Sequence, residues 1–373
     1  MVVNHFLKWV STARVAERAA AASALARAYV GRELDFEDRC AAEAALTLLL
    51  DDPSAKVRLA LAETLSLSWH APAQIVNALA SDQPEIAAVI LSRSPLMSEA
   101  DLIDRVATGS PSVQKTIAGR PQVSMPLAAA VAEVGSADAC IALASNGSAQ
   151  VATLSFLRII ERHGHVAAVR EALLSHPRLP SEGRHQLLVK VGEALRGAPL
   201  VVALIGADRA ARLARDACVT ASVTLIENTG AAEHAALVEH LRLAGELTPG
   251  FIVRTVAHGK IDFFAAVLVS LTGQARERVT AMLANGRATA LSAMFRKAGL
   301  APSTHAPLVR ALGIWREVAR CERTAGVQEV SWLMLKAMGE RAEGTDLAQL
   351  LKSIHLEALR ANARGHALAI AAA

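Results

Sequence analysis

The chain has 373 residues, 53% of them hydrophobic, 20% charged and 3% aromatic, with 39 basic against 35 acidic side chains and a formal net charge of +4. About a fifth is alanine, the best helix former and a poor strand former, which excludes an all-β fold. Disorder is excluded by the apolar content, and the mean hydropathy of +0.32 comes from dispersed alanine, because no run of about 18 uncharged apolar residues could span a bilayer.

Taken in chain order, the first predicted helix runs from Phe6 to Tyr29, with Leu7, Val10, Ala21, Ala24, Leu25 and Ala28 on its buried side and Gly31 at its end. Asp35 is the expected N-cap of a second, Glu37 to Leu50. The stretch Asp51-Asp52-Pro53-Ser54 then opens a third. Asp52 is expected to accept first-turn backbone donors and Pro53 to occupy the first helical position, with Val57, Leu61 and Leu65 following at helical spacing. The same grammar returns at Asp82-Gln83-Pro84 before Ile86, Val89 and Ile90, and at Ser110-Pro111 before Val113, Ile117 and Ala118. A looser echo is Asn146-Gly147-Ser148 before Val151 and Leu154. One helix pair of about 30 residues cannot bury its own apolar stripe, so recurring pairs predict a stacked α-solenoid.

From Ser181 the predicted helices lengthen: Glu182 to Arg196, then two between Leu200 and Ala244. Gly245 and Thr248-Pro249 mark a new start. Compact helices follow at Gly250–Ala257, Asp262–Leu271, Gln274–Ala284, Arg287–Lys297 and Ser303–Arg320, with Asp262 and Ser303 as expected N-caps. Two more occupy the tail from Val327, and Ala361 to Ala373 are expected to fray. The expected division is a repeat region over residues 1–196 and a second all-helical region, packed against it, over 197–373.

Cys40, Cys140, Cys218 and Cys321 are far apart in sequence and form no CxxC pair, so free thiols in a reducing compartment are expected. The first ten residues lack the pattern of a signal peptide, and the expected address is the cytoplasm. No run of five or six like charges forms a nucleic-acid-binding arm. The excess of arginine over lysine reads as compositional bias of the source genome rather than anion recognition.

DDPSAKVRLALAETL resembles the second-helix start of HEAT repeats. Together with FLKWVSTARVAERAAAASALARAYV, SDQPEIAAVILSRSP, IALASNGSAQVATLSFLRIIERHG, RLPSEGRHQLLVKVGEAL and HGKIDFFAAVLVSLTGQARERVTAMLANGRATALSAMFRKAGL, it resembles a bacterial family, domain of unknown function 2336, from about Phe6 to Arg320. The resemblance implies a cytoplasmic, all-helical, HEAT-like protein and supplies no catalytic residues.

No phosphate loop, dinucleotide fingerprint, HExxH or GxSxG motif is present. His163-Gly164-His165, with Glu161, His176 and His185, offers a metal reading, but a helix end with favourable positive charge is the stronger one. Glu99, Asp101 and Asp104 could form an acid/base pair, yet Ser98 and Asp101 have capping-box spacing. Arg209, Arg212 and Arg215 form a basic stripe that Asp208 and Asp216 should neutralise. Phe6, Leu7, Trp9 and Val10 could meet a membrane interface, but packing on the next helix is favoured.

The expectation is an all-α, non-enzymatic interaction scaffold without cofactor or metal. Its protein or peptide partner would lie along Lys56, Arg58, Gln114 and Lys115. The alternative is a DNA-binding regulator using a helix-turn-helix-like segment, residues 262–284, in which Gly273 makes the turn and Gln274, Arg276, Arg278 and Thr280 face the duplex.

Overall fold

The computed structural model describes residues 9–10, 12–31, 34–339 and 344–372. Among them every regular element is an α-helix, as the alanine content requires. The chain divides into two compact units, Met1–Leu179 and Pro180–Ala373. The division falls one helix earlier than the expected 196/197 boundary.

The first unit contains α1 (Val15–Gly31), α2 (Phe36–Leu49), α3 (Ala55–Leu65), α4 (Ala73–Leu79), α5 (Pro84–Arg93), α6 (Glu99–Thr108), α7 (Pro111–Ala118), α8 (Met125–Val134), α9 (Ala137–Ser145), α10 (Thr153–His163) and α11 (Ala167–Leu174). The odd-numbered helices from α1 to α11 form one layer: α1 packs on α3, α3 on α5, α5 on α7, α7 on α9 and α9 on α11. A second layer runs through α6, α8 and α10. This is the solenoid-like stacking that the proline-marked starts predict. Val57, Leu61, Leu65, Ile86, Ile90 and Ile117 are all buried, removing on the order of 1.5–3 kcal/mol of apolar exposure each.

Local chemistry sets the helix starts. Ser98, Ser110, Ser124 and Ser136 each accept a backbone N–H three residues on, and Pro84 and Pro111 sit where no N–H is needed. Asp35 caps α2 as expected, with Asp38 N–H at 2.8 Å. At α3 the outcome differs. Ser54 is the N-cap, Pro53 lies outside the helix, and Asp52 takes the Ser54 N–H at 2.8 Å and a bidentate fork from Arg18 at 2.7 and 3.0 Å.

That fork repeats. Arg58 grips Asp82 at 2.7 and 3.1 Å and also donates to the Asp52 carbonyl. Further along, Arg105 donates to the Ala80 carbonyl, Arg120 to those of Leu91 and Ser94, Arg162 to Ala132 and Arg178 to Ala149, while Asn146 donates to Ala118 and Arg120. These side chains satisfy carbonyls that helix ends leave open and tie each pair to its neighbour. The arginine excess therefore has a structural use that composition alone did not show.

The second unit contains α12 (Ser181–Gly197), α13 (Pro199–Ile205), α14 (Ala207–Glu227), α15 (His234–Leu243), α16 (Pro249–Ala257), α17 (Ile261–Thr272), α18 (Arg276–Asn285), α19 (Ala288–Lys297), α20 (Pro302–Ala319), α21 (Val327–Ala337) and α22 (Asp346–Ala372). Three helices, not two, fill 199–243. Its core is one cluster around Phe251, Phe263, Phe264 and Phe295 that draws on residues from Val223 to Ile354. Trp315 donates to the Val256 carbonyl at 2.8 Å, and Arg316 reaches the carbonyls of Met282, Leu283 and Gly286. Gly259, at φ +75°, could not carry a Cβ without meeting the Trp315 ring at 3.1 Å. Asp262 and Ser303 lie inside first turns rather than at N-caps, which fall on Lys260 and Ala301. The expected fraying of 361–373 gives way to helix through Ala372, consistent with alanine's propensity.

Candidate functional site

In the second unit α12 packs on α14 through small residues. Gly192 faces Cys218 so closely that a Cβ would stand 2.4 Å from Sγ, so a larger residue there would force the thiol to turn away. Beside this contact lies a cavity of about 440 Å³, lined along α12 by Val189, Gly192, Glu193 and Arg196. From α14 come Ala211, Ala214, Arg215, Cys218, Val219 and Ser222, and Gly245, Glu246, Thr248 and Phe251 close it. The α14 residues recur every three to four positions, so one face of that helix supplies them all.

The closing segment is held at both ends. Gly245, at φ +70°, turns the chain after α15, and Glu246 and Leu247 both donate backbone N–H groups to the Leu241 carbonyl. Thr248 caps α16 by accepting from Phe251 N–H at 3.2 Å. Glu246 is thereby fixed against His185, whose Nε2 lies 3.1 Å from the carboxylate and whose Nδ1 lies 3.2 Å from His240 Nε2. His185 bridges the two, with Nε2 beside the Glu246 carboxylate and Nδ1 facing His240 Nε2. The hydrogen bond from His185 pulls the Glu246 carboxyl below its ordinary value. Burial, then the neighbouring His185, push His240 down.

Burial raises the Cys218 thiol, and the charges of Glu246 and Glu193 add to that rise. Its Sγ contacts the Leu188 carbonyl at 3.7 Å rather than a histidine. A protonated thiol without a base is a packing group, not an activated nucleophile. The His240–His185–Glu246 chain thus holds Glu246 in place on the cavity wall.

The residues expected to bear partners are placed as follows. Gln114 is buried at 7% exposure, donating to the Val106 carbonyl at 2.9 Å and accepting from Ser136 N–H at 2.9 Å. It is an internal staple, because a side chain so enclosed presents nothing to a partner. Arg58 is committed to Asp82 and Asp52. Lys56 is exposed, and Lys115 is exposed with Asp138 4.0 Å away. Of the helix-turn-helix-like set, Arg276, Arg278 and Thr280 are exposed on α18, whereas Gln274 is half-buried with Oε1 enclosed and unbonded. Gly273 makes the turn after α17 in the left-handed region, at φ +65°.

His163 and His176 belong to the first unit and His185 to the second. His163 Nε2 lies 3.0 Å from the Gly135 carbonyl. Among the described residues no group of three or more His, Cys, Asp or Glu is arranged to hold a metal ion. Ser98 caps Asp101 N–H and bonds its carboxylate at 2.6 Å, as the spacing predicts. Arg209, Arg212 and Arg215 make no ion pair with Asp208 or Asp216 among the described residues. Phe6 and Leu7 lie outside the described residues. Within those residues, no helix is long and apolar enough to cross a membrane.

The architecture is that of an all-α protein, stacked helix pairs in one unit and a convergent helical core in the other. The chain belongs to the family of uncharacterised proteins conserved in bacteria designated domain of unknown function 2336, which it matches over residues 86–348, more than half its length and parts of both units. No curated protein and no solved structure matches it.

Proposed function

We propose that the protein is a non-enzymatic adaptor that docks a partner protein on the hairpin of α13 and α14. One observation carries this reading. All seven residues of α13, PLVVALI, are apolar and none is buried, with Leu200 and Leu204 exposed at 71% and 74%. Leu213 on α14 is exposed as well. Apolar surface of this kind gains about 25 cal/mol for each Å² withdrawn from water, which favours a covering surface.

Charge selects the partner. Arg209 and Arg212 share a face of α14 with Leu213, and neither has an ion-pair partner among the described residues. An apolar helix with an acidic flank complements this surface, whereas a second copy would bring arginines against arginines. The test is a photo-crosslinking residue at Leu204, used in the bacterium that encodes the protein. Adducts with a different protein that presents an apolar, acid-flanked helix, lost when Arg209 and Arg212 become glutamate, support the reading. Adducts with the chain itself alone, or equal labelling from Lys56, overturn it.

DNA binding through residues 262–284 is the second reading, favoured by the exposed Arg276, Arg278 and Thr280 and opposed by Glu277 between the arginines. It requires salt-sensitive duplex binding that weakens in the Arg276→Ala/Arg278→Ala variant. Undetectable binding at low salt removes it.

A further inference from the structure

We propose that the cavity between α12 and α14 is a binding site for an organic carboxylate, an anionic head on an apolar body. The volume, about 440 Å³, falls among those of small-molecule sites. Its interior is apolar, formed by Val189, Ala211, Ala214, Val219 and Phe251. Four charged side chains line it: Glu193, Glu246, Arg196 and Arg215.

Their pairing decides the ligand. Glu193 accepts from Lys190 Nζ at 3.1 Å, and Glu246 is engaged by His185. Arg196 and Arg215 have no ion-pair or side-chain hydrogen-bond partner among the described residues. The uncommitted charge around the cavity is therefore positive, and it is carried by guanidinium forks whose geometry matches a carboxylate. A cation would meet two arginines, and a neutral apolar molecule would leave both unused. Cys218 on the cavity wall supplies a reporter. The site stands apart from the docking reading, because Arg209, Arg212 and Leu213 occupy the α14 face opposite Ala211, Ala214 and Cys218.

The experiment is calorimetric titration of the full chain with octanoate, octan-1-ol and octylamine. Maleimide labelling of Cys218 is followed in parallel by mass spectrometry against exposed Cys40 as internal control. Octanoate should bind saturably at one site and slow labelling of Cys218 but not of Cys40. Octanol and octylamine should bind at least about tenfold more weakly. Arg196→Gln and Arg215→Gln, both at exposed positions, should each weaken octanoate by about tenfold and leave octanol unchanged. Ala211→Leu should fill the cavity and abolish binding. The inference is overturned if octanoate gives no saturable binding at millimolar concentration, if octanol binds as tightly as octanoate, or if both arginine variants bind octanoate normally. The surface arginine variants keep the test decisive should Ala211→Leu misfold. None of these outcomes depends on whether Leu204 crosslinks to a partner.

Discussion

The two units solve one problem, hiding the apolar faces of short alanine-rich helices, in different ways. In the first unit each odd-numbered helix leans on the odd-numbered ones before and after it, and the burial is shared pairwise down the array. In the second, Phe251, Phe263, Phe264 and Phe295 gather residues from Val223 to Ile354 into one cluster. Pairwise burial makes stability local and roughly additive, whereas convergent burial makes it collective. Large aromatic side chains mark the difference, since a bulky ring can touch several helices at once.

The strongest way to break this contrast is a pair of core deletions. Phe264→Ala should cost about 3–5 kcal/mol, and amide exchange measured by mass spectrometry should quicken across α16 to α20 together. Ile117→Ala should cost about 2–5 kcal/mol, with faster exchange confined to α5, α7 and α9. Uniform loosening of the whole first unit by Ile117→Ala would show that its stability is collective after all.

A smaller effect probes the staples between pairs. Gln114→Ala leaves the Val106 carbonyl and the Ser136 N–H without their partner and should cost about 2–4 kcal/mol in denaturant unfolding. A cost below about 0.5 kcal/mol, the usual surface value, would return Gln114 to the list of surface residues.

Gln114 also shows where sequence reading stops. Proline starts and the spacing of Val57, Ile86 and Ile117 are local signals, and they pick out buried positions correctly. The hydrogen bonds between pairs join residues far apart in sequence: Arg18 to Asp52, Arg58 to Asp82, Gln114 to Ser136. No local pattern distinguishes such a side chain from a solvated one, which is why Arg58 and Gln114 read as partner contacts. The cavity is similarly hidden. His185 and His240 were present in the sequence, but their meeting depends on the turn that places Glu246, and the Gly192–Cys218 contact joins two separate helices. The exposed state of α13 was equally invisible, because an apolar run normally predicts burial.

Acid should separate the units by threshold. Burial and His185 hold His240 below 6.5, and burial with Arg254 and Lys260 holds His258 below 6.5. The folded second unit therefore binds fewer protons than its unfolded chain in that range, and its stability rises with pH. The contribution is complete above 6.5 and is lost as pH falls through the folded values. In the first unit Arg18 holds Asp52 below 3.8, and at Asp82 burial is outweighed by Arg58 and the Gln83 amide, so the contribution of these two carboxylates is lost only below 3.8. Thermal melts from pH 7 to pH 5 should show a falling midpoint for the second unit, flattened in the His240→Gln/His258→Gln variant. An unchanged slope in that variant would remove these histidines as its source.

The smallest expected effect is also the sharpest comparison within one helix. Lys115 follows Gln114 directly, but its ammonium stands 4.0 Å from Asp138 with both side chains largely in water. Solvent and salt screen such a pair, and holding two long side chains in place costs entropy, so Lys115→Ala should change stability by less than about 0.5 kcal/mol. If Lys115→Ala destabilised the protein as much as Gln114→Ala, the backbone of α7 rather than the enclosed amide would be the sensitive element.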